Sequence, residues 1–213
     1  KLFGRVRLSD MEKNMTLQPR KPELMAPAGD MTSLRAALDA GADAVYFGVV
    51  SMNMRASARN FAVEDMPAIA ALCHEHGARA YLALNTIIFD RELELAETLV
   101  EAAASAKIDA VICWDFAVVD LALRHKIQVF VSTQMSVANS SSLLFLYRHF
   151  GIRRFVLARE CTLAEIVQIR RHLSEKLGNE AKNIELEVFA HGAMCVSVSG
   201  RCFMSQFGFD ASA

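Results

Sequence analysis

Two cysteines, Cys195 and Cys202, stand in a stretch that reads Glu187-Val-Phe-Ala-His-Gly-Ala-Met-Cys195-Val-Ser-Val-Ser-Gly200-Arg-Cys202-Phe-Met-Ser205. Thiolates bind soft metals and act as nucleophiles, so chemistry is sought here first. By spacing alone the pair reads first as packing, because zinc sites use closer pairs and four ligands, and Cys is among the residue types most often buried. His191 precedes Cys195 by four residues and leaves a Cys-His nucleophile pair open. A second grouping, Cys73-His74-Glu75-His76, is a decoy. Adjacent helical positions point in different directions, the His-Glu-x-x-His spacing is missing, and imidazole near a helix C-terminus is favourable without metal.

Charged and amide side chains form the other chemical set. Arg55, Arg59 and Arg159 present planar guanidinium forks that suit a carboxylate or phosphate. Asn53, Asn85, Gln134 and Asn139 are the accompanying candidate substrate-binding residues, and His191, Glu187 and Asp115 the candidate catalytic groups. Any one of these, taken singly, is also an ordinary solvated loop residue or helix cap. Their common feature is position, immediately after predicted strands.

Those strands fall near Leu24 to Ala26, Ala44 to Gly48, Ala80 to Leu84, Ala110 to Trp114, Gln128 to Ser132, Phe155 to Ala158 and Leu186 to Ala190. Segments of helical period separate them, the pattern of parallel strands covered by helices. Asp30 reads as an N-cap, Thr162 to Glu165 as a capping box, and Gly41 and Gly77 as C-terminal stops. Gly41-Ala-Asp-Ala-Val-Tyr, Lys107-Ile-Asp-Ala-Val-Ile and Gly151-Ile-Arg-Arg-Phe-Val echo one another at the helix-to-strand junctions. No dinucleotide fingerprint is visible, so the expected fold is α/β, a (β/α) TIM-like barrel with seven strands visible and the closing unit absent or irregular. Residues 1–22 lack regular period and read as an extension; residues 23–213 read as the barrel domain, truncated at its C-terminal end. In such a barrel the loops after the strands converge on one mouth, which gathers the polar residues named above.

Composition narrows the class. Of the 213 residues 53% are hydrophobic, ample for one large core, and 23 basic residues nearly cancel 24 acidic ones. No global field draws the chain to nucleic acid, so an RNA substrate requires a local basic patch. The longest apolar run, Val111 to Leu123, carries Asp115 and Asp120 and is no membrane span, and no secretory signal is evident near the start. A cytoplasmic address is expected, with the five cysteines reduced or metal-bound rather than paired.

The stretch from Glu187 resembles the signature of the collagenase-like U32 peptidase family at every defined position: Glu-x-Phe-x-x-Gly-Ala-Met-Cys, four residues, then Gly-x-Cys-x-Met-Ser. Glu23-Leu-Met-Ala-Pro-Ala-Gly, Gly41-Ala-Asp-Ala-Val-Tyr-Phe-Gly and Val131-Ser-Thr-Gln-Met-Ser-Val-Ala-Asn extend the resemblance over about Glu23 to Ser205. It implies that Cys195 and Cys202, with two further cysteines downstream, hold an iron-sulfur cluster of the 4Fe-4S type. No cysteine follows Cys202 in this sequence, so these 213 residues are expected to hold no stable cluster by themselves.

The resemblance implies an oxygen-independent RNA hydroxylation factor, of the tRNA 5-hydroxyuridine or rRNA hydroxycytidine type, with prephenate as an anionic small substrate that the arginines would suit. Its alternatives are a ubiquinone-precursor hydroxylation factor, a collagenase-like peptidase and a non-catalytic binding module. The sequence shows no Gly-x-Ser-x-Gly elbow and no zinc-protease motif.

Overall fold

A computed structural model describes residues 21–49, 61–192, 195 and 197–201. Its strands are β1 (Met25–Ala28), β2 (Ala44–Phe47), β3 (Arg79–Leu84), β4 (Ala110–Cys113), β5 (Gln128–Val131), β6 (Arg154–Val156) and β7 (Glu185–Glu187). Between them run α1 (Met31–Asp39), α2 (Met66–Glu75), α3 (Leu93–Ser105), α4 (Phe116–Arg124), α5 (Ser140–Phe150) and α6 (Leu163–Leu177). All seven strands lie parallel in sequence order.

Alternation along the strands builds two apolar layers, as a curved sheet requires. Val45, Leu82, Val111 and Val129 face outward and pack beneath the helices with Leu34, Ile69, Leu99 and Leu143. Ala44, Tyr81, Ala110, Ile112 and Phe130 face inward as a second cluster. The curl is proved by ion pairs across the interior: Arg154 at the start of β6 lies 2.7 Å from Glu23, just before β1, and Arg79 at the start of β3 lies 3.6 Å from the same carboxylate. The sheet is a curled half-barrel whose edges among the described residues are β1 and β7. The expected barrel architecture stands.

The helix ends follow local chemistry. Asp30 caps α1 by accepting from the Ser33 amide at 2.8 Å, and Thr162 with Glu165 forms the reciprocal box at α6. The repeated junction motif has one geometry: its first residue takes a left-handed conformation, φ 86° at Gly41, 69° at Gly77, 60° at Lys107, 59° at Lys126 and 69° at Gly151. Two residues on, Asp43 accepts from the Leu24 amide at 2.8 Å and Asp109 from the Ala80 amide at 2.8 Å. Each aspartate thus fastens the start of the neighbouring strand. At the corresponding position after Gly151 stands Arg153.

Each strand is displaced from expectation by one to three residues at one or both ends, and three shifts bring in charge: β3 opens on Arg79 rather than Ala80, β6 on Arg154 rather than Phe155, and β7 on Glu185 rather than Leu186, ending at Glu187 rather than Ala190. Charged residues at these positions are accommodated because partners from other strands meet them inside the barrel. The expected extension, residues 1–22, falls outside the described residues except for Lys21 and Pro22. No helix of the described residues is long and apolar enough to cross a membrane.

Candidate functional site

The loops that follow the strands gather at the C-terminal mouth, where the Cys195 segment is seated against the loops after β5 and β6. Arg159 makes three bonds to it: its backbone N–H and Nε donate to Ser199 Oγ at 3.1 and 3.3 Å, and Nη2 donates to the Ser197 carbonyl at 3.0 Å. The Glu160 carboxylate accepts from the Ser199 amide at 2.9 Å, and that bond holds its pKa below the usual carboxylate range. From the β5 side, Ser136 Oγ donates to the Ser199 carbonyl at 2.5 Å. Ser199 is fully buried at the centre of this seat, whereas Cys195 is exposed.

Gly200 completes the fit. A Cβ there would stand 2.1 Å from the Gln134 carbonyl oxygen, and its φ of 70° already favours glycine. The short helical turn Thr133–Met135 ends on Ser136 in the same left-handed region, φ 55°, which turns the Ser136 hydroxyl toward the loop. This arrangement fixes Ser197, Ser199 and Gly200 at the barrel mouth, close in sequence to the exposed Cys195.

The remaining candidates divide by task. Asp115 caps α4, accepting from the Ala117 amide at 2.9 Å and from the Ile88 amide at 3.1 Å, so both carboxylate oxygens organise backbone. Asn139 caps α5 through the Ser142 amide at 2.9 Å, and the Gln134 side-chain oxygen accepts from Ser132 Oγ. The Asn85 carbonyl accepts from Trp114 Nε1 at 2.9 Å, joining the loops after β3 and β4. His191 is exposed near the mouth. Asn53, Arg55, Arg59 and Cys202 lie outside the described residues.

Glu187 has a different environment from the mouth. Its carboxylate meets Arg154 Nε at 2.8 Å inside the barrel, where Glu23 and, at 3.5 Å, Glu185 share the same guanidinium. Burial pushes the Glu187 carboxyl above the usual range, Glu23 and Glu185 add to the shift, and Arg154 opposes it. Burial alone would lower the Arg154 pKa, but the ion pairs with Glu23 and Glu187 outweigh it and the value rises. Tyr81 joins by donating to Glu23 at 3.1 Å. The sequence points to Glu187 alone from this network; the signal for the rest is a charged residue opening an otherwise apolar strand, as at Arg154.

Four thiolates are needed for a cluster, and the other cysteines are poor donors. Cys73 is buried and pushed up to about 11 by desolvation and the nearby Asp109; Cys113 is raised further by complete burial, and Cys161 is raised by burial and by Glu165 and Glu160. Around Cys73 the expected decoy does not converge: His74 Nε2 pairs with Asp109 at 2.9 Å and His76 Nδ1 with the Leu72 carbonyl at 2.9 Å. Glu97, Glu101 and His125 approach one another within 4.8 Å on the outer helices, where exposed acidic groups are common without a metal. Among the described residues, Cys195 is therefore the one cysteine suited to a metal by exposure.

The profile of peptidase family U32 matches residues 29–213. The chain is 39% identical to a collagenase of Porphyromonas gingivalis over 90% of its own length and 46% of that protein, and 34% identical to tRNA hydroxylation protein P1 of Bacillus subtilis over 87% and 42%. It thus spans less than half the length of these relatives. Among solved structures, the U32 peptidase Mk0906 superposes with a TM-score of 0.61 at 16% identity, over 85% of this chain and 73% of that one, which supports the fold. Matched through its sequence profile, its relatives and its barrel, the chain belongs to peptidase family U32.

Proposed function

We propose that this chain is the barrel portion of an oxygen-independent RNA hydroxylation factor, with Cys195 and Cys202 as half of the ligand set of a 4Fe-4S cluster. The observation that carries the reading is the seat beside Cys195: Arg159, Glu160 and Ser136 hold Ser197 and Ser199 from the loops after two neighbouring strands, while Cys195 is exposed. A loop fixed this firmly beside an exposed thiol suits a ligand for a cofactor that must sit at the mouth. The remaining two thiolates would come from outside residues 1–213. Arg55 and Arg59 would supply the guanidinium forks for a prephenate-like dicarboxylate, and Arg159 orders the loop at Ser197 and Ser199. The relative named for tRNA hydroxylation supports RNA as the second substrate.

The test is nucleoside mass spectrometry on RNA from cells lacking the endogenous gene and complemented with the whole protein. Wild type should restore hydroxylated nucleosides, and Cys195→Ala should abolish both them and the iron-dependent visible absorbance of the purified protein. Hydroxylation unchanged in Cys195→Ala would overturn the assignment. The relative named collagenase favours a second reading, a thiol peptidase with Cys195 and His191 as nucleophile and base. It requires peptide cleavage that persists without iron and is lost on thiol alkylation.

A further inference from the structure

The mouth is not the sole concave surface. At the opposite, N-terminal end of the strands, a cleft of about 580 Å³ opens between the starts of β3, β5, β6 and β7. Three adjacent helix-to-strand turns each place a cation on it, Lys126 before β5, Arg153 before β6 and Lys182 before β7, and Arg79 stands on the far side. Lys126, Arg153 and Lys182 are exposed and form no ion pair among the described residues. The one carboxylate on the lining, Glu185, lies 3.5 Å from Arg154. In a chain with 23 basic and 24 acidic residues, this is a local concentration of unpaired positive charge.

Cations near helix C-termini are also favoured by the helix dipole, without any ligand. The same barrel end shows that the dipole does not dictate this arrangement. At the turns before β2 and β4 the residues equivalent to Arg153 are Asp43 and Asp109, which clamp the backbone of neighbouring strands, while Lys126 has a lysine counterpart, Lys107, before β4. Before β6 the equivalent residue is Arg153, directed to the cleft instead. Carboxylate clamps thus occupy the turns before β2 and β4, whereas the turns before β5, β6 and β7 leave cations around a cavity that also carries the amides of Gln128 and Asn183.

We propose that this cleft binds the phosphate backbone of the RNA substrate, holding a duplex or stem at the N-terminal face while a single-stranded target reaches the mouth. The proposal rests on the RNA reading above and adds to it the surface that an almost neutral chain otherwise lacks. β3 has six residues, so the two ends of the barrel are roughly 20 Å apart along the strands, a span that a short stem covers. Lysines and arginines on flexible or forked side chains contact phosphates irrespective of sequence, which suits positioning rather than readout.

The test measures binding of an unmodified tRNA transcript by the whole protein across a salt series. A Lys126→Glu, Arg153→Glu, Lys182→Glu variant should lose about tenfold or more in affinity, and its log K against log salt should flatten by about 2 to 3, one increment per lost phosphate contact. The control carries the same charge change on outer helices, at Arg35, Arg148 and Arg171, and should keep the affinity within about threefold and the salt slope. Equal losses in both variants would overturn the proposal, leaving only non-specific charge. So would unchanged tRNA binding in the cleft variant, including the case where pyrophosphate stabilises wild type thermally and not the variant, which would make the occupant a small phosphate ester. Wild type that binds no tRNA overturns the RNA reading and this proposal together, whereas wild type that hydroxylates RNA with an indifferent cleft overturns this proposal alone. Circular dichroism melts of both variants check that each is folded.

Discussion

Arg154 and Arg159 stand five residues apart in sequence and show how differently the two ends of the barrel use the same side chain. Arg154, with a side chain only 6% exposed, is surrounded by the carboxylates of Glu23, Glu185 and Glu187. Arg159 forms no ion pair among the described residues; it donates to a serine hydroxyl and a backbone carbonyl. The first is an ion network that ties β6 and β7 to the start of β1, and its removal strands buried charge. The second is a hydrogen-bonded brace whose removal frees one loop. Stability and site geometry are therefore separable by mutation.

The largest effect is expected for Arg154→Met, which keeps most of the volume but leaves three carboxylates without their shared cation. Breaking a buried ion pair by deleting one partner costs about 3–5 kcal/mol, so the variant should unfold at markedly lower urea concentration. Unchanged stability would mean that solvent already screens the network. Gly200→Ala comes next. It places a carbon 2.1 Å from the Gln134 carbonyl oxygen and puts alanine at a φ of 70°, a conformation that alone costs roughly 1–2 kcal/mol. Its effect should be confined to the mouth: amide exchange at Ser199 should accelerate and the visible cofactor absorbance should fall, with the global transition nearly unmoved. Slow exchange at Ser199 in this variant would show that the loop is seated by something other than this contact.

The same contrast explains what the sequence could and could not reveal. The caps at Asp30 and Thr162, the left-handed turns at Gly41 and Gly151, and the alternation of apolar residues are local, and local chemistry is legible in order along the chain. The apolar pattern leaves Arg154 outside its strand, because a charged residue violates that pattern and its partner Glu23 is remote in sequence. Ser199 carried no signal of its own, since a serine becomes the centre of a brace only when Arg159 and Glu160 are brought to it from the loop after β6. The cysteine pair was legible by type and family resemblance; the seat beneath it was not.

A smaller effect separates the charge states of the interior. The folded-state pKa of Glu187 lies above its ordinary value of 4.5, so its protonated form is favoured by folding. The stability it contributes is complete below the unfolded pKa and declines as pH rises through the folded value. Glu187→Gln fixes the neutral form and retains an acceptor for Arg154, so it should remove that decline. Urea denaturation at pH 4 and pH 7 should show the variant gaining relative to wild type at the higher pH. A variant that loses ground as pH rises would mean that the ionised pair with Arg154 dominates over desolvation.

The smallest effect bears on why the N-terminal face carries lysines where glycine fits better. Lys107 and Lys126 occupy the turn position that Gly41, Gly77 and Gly151 fill elsewhere, at φ 60° and 59°. Replacing either by Gly relieves roughly 1–2 kcal/mol of left-handed strain, offset by about 0.5–1 kcal/mol of extra chain entropy lost on folding. Each substitution should therefore stabilise by less than about 1 kcal/mol, a rise of a few degrees at most in the thermal midpoint. The two differ in surroundings, because Lys126 lines the cationic cleft and Lys107 does not. If the cleft holds RNA phosphates, Lys126→Gly should gain stability yet bind tRNA more weakly, with a salt slope lower by about 1, whereas Lys107→Gly should gain stability with binding unchanged. Equal binding by the two variants would reduce Lys126 to a turn residue, and the difference between the two ends of the barrel would then be one of stability alone.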